Sequence, residues 1–133
     1  MIRTLFASSV LALAIGSSQP AADKAGALSG SSYALTISGD DQPDHGNILS
    51  FEGSDGTAAN SAAHGFAPAQ VVYTRVGDTL TFAFTQRSKR SGTVTWQGVA
   101  ADQGAMVAGT KVWIEHDAKK VHIFTFTGTR LPR

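Results

Sequence analysis

The four histidines of this 133-residue chain are its most obvious candidates for catalysis or metal binding. They are His45, His64, His116 and His122. No pair has the spacing with which a single strand or helix presents two metal ligands, which is i,i+2 or i,i+4 respectively. The triplet Glu115-His116-Asp117 combines three candidate ligands, but it falls at a predicted turn and neighbours on a strand point to opposite faces. The histidines therefore predict no metal site.

The acidic residues give no stronger signal for chemistry. Three aspartates and a histidine cluster within 40–45, without the alternating oxygen ligands and closing glutamate of a calcium-binding loop. The only two glutamates, Glu52 and Glu115, lie near predicted strand ends, and there is no Gly-x-Ser-x-Gly nucleophile elbow. We therefore predict that the protein is not an enzyme and holds neither a metal nor a cofactor.

Aromatic residues, in contrast, concentrate in the last four predicted strands. In a small barrel the inward-facing side chains fill the interior, and this is the first interpretation of most of these rings. The alternative is a cup for a small apolar or amphipathic molecule, since barrel mouths are favoured places for such pockets. The candidate ligand contacts are Phe82, Phe84, Trp96, Trp113 and Phe126.

The elements that carry these side chains are predicted to be strands, because apolar and polar residues alternate with a period of two. The predicted strands cover 32–38, 47–52, 70–76, 79–86, 92–99, 106–115 and 119–129. Between them, 39–46 is a predicted polar loop, 57–69 a loop or short helical turn, and 87–91 a charged hairpin loop. No helical repeat persists beyond the N-terminal segment, so the predicted class is all-β.

Short connections between strands favour an antiparallel up-and-down meander of seven or eight strands. An open meander of this size would expose two edges and an apolar face, and closure removes both problems. We therefore predict a small closed or partly closed barrel. Gly-Thr-x-x-Trp occurs at 92–96 and again at 109–113, as expected for successive strands of one sheet.

The N-terminus has the layout of a secretory signal peptide. One positive charge within 1–4 precedes an apolar run over 5–15, which is too short to span a bilayer. We predict a signal peptide over 1–18, cleaved after Ser18 or Ala22, a flexible leader over 19–30, and one domain over 31–133. The chain has no cysteine, so neither a lipid attachment site nor a disulfide is expected. The expected location is periplasmic or secreted, without a membrane anchor.

Removal of 1–18 would leave ten basic and ten acidic residues, because Arg3 is the only charged residue in that segment. Nucleic-acid-binding proteins normally carry a basic surface stripe or a strong positive charge. Here the only basic cluster lies within 87–90. The charge pattern therefore predicts no nucleic-acid partner.

The second half of the chain resembles a family of small bacterial proteins that carry signal peptides and have no established activity. The matching elements are Gly65-Phe66, Tyr73, the Ser-x-x-x-Gly-Thr-x-x-Trp-x-Gly segment 88–98, Gly-Thr-x-x-Trp at 109–113, and Phe-x-Gly-Thr at 126–129. Family members often have a cysteine where this chain has Ser61, so a function that depends on that cysteine is in doubt here. By architecture alone, the predicted barrel is also similar to the lipocalin and avidin group.

Two functions from different classes follow from these patterns. The first is a binding module for a small apolar or amphipathic ligand. The second is a structural or interaction protein of the bacterial envelope, for example an inhibitor, that uses an outer apolar face or the 87–91 hairpin. Neither the ligand, the partner protein nor the oligomeric state follows from the sequence.

The N-terminal pattern yields a direct test. In the native host, the protein should be recovered outside the cytoplasm without residues 1–18, because a short apolar run followed by small residues is a substrate for signal peptidase. Intact-mass measurement and N-terminal sequencing of the purified protein would locate the cleavage. Recovery of the mature fraction with residues 1–18 attached would contradict the prediction.

Overall fold

The computed structural model describes residues 21–22 and 26–133 and is an antiparallel β-barrel that is nearly closed. Its strands are β1 (Ala21–Ala22), β2 (Ser32–Gly39), β3 (Gln42–Glu52), β4 (Asp55–Ala58), β5 (Ala69–Gln70), β6 (Val72–Val76), β7 (Thr79–Ser88), β8 (Gly92–Ala101), β9 (Met106–Ile114) and β10 (Val121–Arg130). One short helix, α1 (Ala59–Ala63), follows β4, and a single 3-10 turn covers Asp102–Gly104. No helix within the described parts of the chain is long and apolar enough to cross a membrane.

The strands form an up-and-down meander, as predicted, in which each strand pairs with the next one along the chain from β2 to β5 and from β6 to β10. The meander closes on itself, since β10 pairs with β2 over seven residues, including Phe126 opposite Ile37. The remaining gap lies between β5 and β6, which are separated only by Val71. Val71 donates a backbone hydrogen bond to Ser54 across this gap, 2.9 Å long. The stretch 69–76 therefore acts as one bent strand, whose first part (β5) pairs with β4 and whose second part (β6) pairs with β7.

The prediction of a polar loop over 39–46 is wrong. Gly39 pairs directly with Gln42, and the two aspartates between them have φ near +55°, which makes a tight two-residue hairpin turn. Asp residues tolerate this left-handed conformation better than most, so the turn needs no longer loop. Pro43 is accommodated because β4 pairs with β3 only from Leu49 onward, which leaves this end of β3 as an edge.

The barrel interior is packed with aromatic and aliphatic side chains. Alternate residues of every long strand point inward, and the largest fully buried side chains are Trp96, Tyr33, Phe51, Phe82, Ile37, Leu49 and Gln86. Phe51 contacts four rings edge-on or tilted, with centroid separations between 5.3 and 6.4 Å. The Trp96 indole N–H donates to Gln86 Oε1 at 3.1 Å, so the one polar atom of this buried ring is satisfied.

Two adjacent inward glycines lie where no side chain fits. Gly98 on β8 pairs with Gly109 on β9, and a methyl group built on Gly98 would lie 2.7 Å from Phe82 Cζ and 2.8 Å from the Ala108 carbonyl oxygen. A methyl group built on Gly109 would lie 1.9 Å from the Gln97 carbonyl oxygen. Such separations are too short for real carbon contacts. Gly98 is therefore required by ring packing, and Gly109 by the close approach of the β8 backbone.

The chain before β2 also contributes to the barrel. Residues 26–30 form a turn in which Leu28 is 7% exposed, so this part of the predicted leader packs on the domain. Ala21 and Ala22 pair with Arg75 and Thr74 of β6. The predicted signal peptide over 1–18 lies outside the described residues.

The packing around Gly98 leads to a stability prediction. Gly98→Ala should lower the free energy of unfolding by about 1–3 kcal/mol, the usual cost of overpacking a filled core. The matched control is Gly46→Ala, whose added methyl would meet only the Leu35 carbonyl oxygen at an ordinary 3.6 Å. Its effect should stay within about 0.5 kcal/mol. Urea unfolding of both variants measures the difference, and equal stabilities would contradict the packing described here.

Candidate functional site

The five aromatic residues predicted as ligand contacts separate into two groups. Phe82, Phe84, Trp96 and Phe126 are at most 3% exposed and pack against other rings of the core. Trp113 is only partly buried and lies towards the end of the barrel where β9 leads into the turn before β10. The structure therefore brings four of these residues together in the interior and places the fifth at a different site.

Two clefts open at this end of the barrel, and neither is lined by the four core aromatics. The first, the acidic cleft, has a volume of about 540 Å³ and is lined by Asp40, Gln42, Pro43, Asp44, His45, Trp113, His122 and Phe124. The second, the lysine cleft, has a volume of about 360 Å³ and is lined by His45, Asn60, Ser61, His64, Phe66, Ser91, Val94, Lys111, Trp113 and Phe124. Because His45, Trp113 and Phe124 line both, the clefts adjoin.

His122 connects three parts of the barrel at this end. It points inward from β10, its Nδ1 lies 2.6 Å from Asp40 Oδ2, and its Nε2 lies 2.5 Å from Glu115 Oε2. Asp40 belongs to the turn between β2 and β3, and Glu115 directly follows β9. In this carboxylate–imidazole–carboxylate arrangement, the His122 triad, the His122 side chain is only 9% exposed, whereas the Asp40 and Glu115 side chains are 25% and 32% exposed.

The protonation state of His122 follows from these contacts. A neutral imidazole has one N–H donor, whereas both ring nitrogens here face carboxylate oxygens that accept hydrogen bonds. The hydrogen bonds to Glu115 and then to Asp40 raise the pKa of His122 above its usual value, and burial opposes them only in part. The site therefore favours the imidazolium form of His122, which can donate to both carboxylates at once.

Trp113 is held in place on two sides. Its ring stacks on the His122 imidazole with a centroid separation of 4.5 Å and an interplanar angle of 21°. Its indole N–H donates to the Ser91 carbonyl oxygen at 2.7 Å. The Ser88 and Ser91 hydroxyls both bond to the His64 carbonyl oxygen, which ties the hairpin to the segment after α1. The predicted hairpin loop 87–91 thus helps to position Trp113, and β7 extends to Ser88 within it.

Among the residues that the structure describes, Lys111 is the only lysine that lines either cleft. It points inward from β9, with Nζ 5.3 Å from the centroid of the Trp96 ring and 5.1 Å from that of Phe124. Burial lowers the pKa of Lys111 from its usual value. Within the described chain, Nζ has neither a carboxylate oxygen at salt-bridge distance nor a hydrogen-bond acceptor. Its charge is offset only by the faces of two aromatic rings.

The short helix α1 forms one wall of the lysine cleft. It is anchored by Asn47, whose Oδ1 accepts hydrogen bonds from the backbone N–H groups of Asn60 and Ile48. Asn47 is 7% exposed, and its Nδ2 finds no partner among the described residues. Ser61, which stands at the cysteine position of the resembling family, is buried in this helix and lines the cleft.

Sequence reasoning missed both charged features of this end. Asp40 and His122 are 82 residues apart and meet only because β10 pairs with β2. The contact between Glu115 and His122 could have been suspected from the sequence, because the two residues are only seven positions apart and lie in one predicted hairpin. The triplet Glu115-His116-Asp117 does not act together, since the side chains of His116 and Asp117 are 53% and 95% exposed. No group of three or more potential metal ligands occurs in the described regions.

The outer face of β9 and β10 carries an apolar stripe. Val121 pairs with Ile114 and Ile123 with Val112, and the exposed fractions of Ile114, Val121 and Ile123 are 39%, 51% and 59%. One of the two functions predicted from the sequence is an interaction protein that uses an outer apolar face. The described residues leave these three side chains exposed, and an interaction protein that uses this face stays a prediction.

Fold and site together define a nearly closed antiparallel barrel with a packed interior and a polar, aromatic cleft at one end. No protein-family model matches this chain, and no curated protein and no solved structure matches it. The resemblance noted over residues 65–129 therefore stays a prediction.

The His122 triad gives the protein a defined dependence of stability on pH. Because the pKa of His122 is raised on folding, its contribution is complete below the unfolded value of about 6.5 and is lost as pH rises through the folded value. The free energy of unfolding should therefore fall as the pH rises from about 6.5 through the pKa of His122 in the folded protein. In His122→Asn this fall should be absent, while His116→Asn, at the exposed turn, should retain it.

Urea unfolding between pH 6 and 9 measures this slope as the difference between wild type and each variant. NMR titration of the His122 imidazole in the wild-type protein provides the same information if the His122 variant does not fold. A midpoint at or below that of an unfolded histidine would contradict the triad.

Proposed function

We propose that the protein is a binding module for a small amphipathic molecule, held in the lysine cleft at the end of the barrel. The observation that supports this most directly is the composition of the cleft wall. It combines the faces of Trp113 and Phe124 with a lysine that lacks an ion-pair partner among the described residues. A few polar groups on a mainly apolar lining are typical of small-molecule sites.

The volume of the cleft fits this function. About 360 Å³ lies within the range of ligand pockets, and the adjoining acidic cleft extends the available space. The interior beyond Trp96 is filled by rings, so a ligand would enter this end and stop against the core. Of the five contacts predicted from sequence, Trp113 is thus the one that we retain for the ligand.

The cleft is also preorganised. Trp113 is fixed by its stacking on His122 and by its hydrogen bond to Ser91, so little side-chain entropy would be lost on binding. The hydrogen bonds between Asn47 and α1 hold the opposite wall. These contacts favour a ligand site over a flexible surface depression.

An environment-sensitive anionic naphthalene dye tests the proposal. It should bind at one molecule per chain and quench part of the tryptophan fluorescence, because Trp113 lines the cleft while Trp96, the only other tryptophan, is buried. Trp113→Leu should weaken binding about tenfold or more, equivalent to roughly 1.4 kcal/mol. Fluorescence titration measures both quantities.

The matched control is Ile123→Ala, which removes an outward side chain from the adjacent strand and should leave the dye affinity unchanged. Thermal unfolding of each variant establishes that it is folded at the titration temperature. Absence of stoichiometric dye binding, or equal weakening by the two substitutions, would contradict a ligand site in the lysine cleft.

A further inference from the structure

Lys111 occupies a position that packing alone does not explain. On the inward face of β9 it follows Val107 and Gly109, and it pairs with Trp96 on one side and Phe124 on the other. These neighbours are core rings, so an apolar residue would fit the pattern of the face. An ammonium partly removed from water carries a desolvation cost that an ion pair or hydrogen bonds normally offset.

The contacts of Nζ offset this cost only in part. Its two aromatic neighbours, 5.3 and 5.1 Å away, supply cation–π attraction but accept no conventional hydrogen bond. An ammonium has three N–H donors, and none of them has an acceptor among the residues that the structure describes. Lys111 therefore presents to the lysine cleft three donors that no described protein group accepts, and a positive charge without a counter-ion among the described residues.

The acidic groups at this end do not serve Lys111. Asp40 and Glu115 are both bonded to His122, and none of the described carboxylates, Asp44 included, lies at salt-bridge distance from Lys111 Nζ. His45 and His64 line the lysine cleft together with Asn60, Ser61 and Ser91, so all the remaining polar side chains of this cleft are neutral or basic. A negatively charged group entering the lysine cleft would meet no carboxylate among the described residues of its wall.

We infer that the ligand of the lysine cleft is an organic acid with an apolar body, whose carboxylate pairs with Lys111 Nζ while its body lies against Trp113 and Phe124. This inference rests on the proposed binding function and names the chemical class of its ligand. The carboxylate supplies the acceptors that the ammonium lacks, and the charge-assisted hydrogen bond is stronger inside a partly apolar cleft than in water.

A matched pair of probes tests the charge separately from the shape. 4-Phenylbutyrate and 4-phenylbutyramide have the same ring and chain, and both present a carbonyl acceptor, but only the first carries a negative charge at neutral pH. Displacement of the dye from the purified protein should show the carboxylate binding at least tenfold more tightly than the amide. The preference should shrink with added salt, because it arises from charge.

Two substitutions assign the preference to Lys111. Lys111→Met keeps a long unbranched side chain without the charge and should make the two probes bind equally. Lys111→Arg keeps the charge and should retain a preference for the carboxylate. Since Met removes a partly buried charge, this variant is expected to be no less stable than the wild type, which keeps the comparison interpretable.

The outcomes separate this inference from the function on which it rests. Equal binding of both probes by the wild type would overturn the acid as ligand class while leaving the binding cleft in place. A carboxylate preference that survives in Lys111→Met would overturn the role of Lys111 and point to His45 or His64. Failure of the dye and both probes to bind would overturn the binding function and the inference together.

Discussion

The limited volume inside a small closed barrel is the constraint on which the rest of this structure depends. Pairing of β10 with β2 fixes the circumference, so every inward side chain must share one narrow interior. Phe82 fits in the middle of that space only because Gly98 has no side chain there, and β8 approaches β9 closely because Gly109 has none. Large rings and glycines thus alternate across neighbouring strands, and the core is solid at its centre. Space for a ligand remains only where the strands end.

Closure also determines the chemistry at that end. The turn at 40–41, which follows β2, and the turn after β9, which precedes β10, are brought to the same rim because β2 and β10 are neighbours. Each of these turns carries a carboxylate. His122 lies between them, and its imidazolium form, which both contacts favour, neutralises the two acids in part so that they are not left to repel each other. Its ring in turn supports Trp113. The same closure that stabilises the barrel therefore builds the wall of the cleft.

The fold could be predicted from sequence to a large extent because alternation is a local signal. The all-β class, the meander and the strand segments followed from period-two patterns, and closure followed from the need to cover edges. The first hairpin was mistaken for a loop because its many turn-forming residues hid a pairing between Ile37 and His45. The candidate site could not be found in this way. It depends on contacts such as that between Asp40 and His122, which are too far apart in the sequence for a local pattern to indicate their contact. It also depends on Trp113 lying near the rim while Trp96, in a similar sequence motif, lies in the core.

That separation shows how one repeated motif can serve two purposes. Both tryptophans face inward and follow Gly-Thr by the same spacing, yet Trp96 pairs with Lys111 near the core while Trp113 lies two residues closer to the rim. The first ring receives its hydrogen-bond acceptor from a buried glutamine, the second from a backbone carbonyl of a hairpin loop. Between them, Lys111 has its hydrocarbon stem in the barrel and its ammonium against the rings. Natural sequences accept such a loss of stability at positions under functional constraint, and filled barrels have little reason to place a lysine inward. Because an inward lysine costs stability in a filled barrel, a ligand explains the residues of the lysine cleft better than it explains those of the outer apolar stripe.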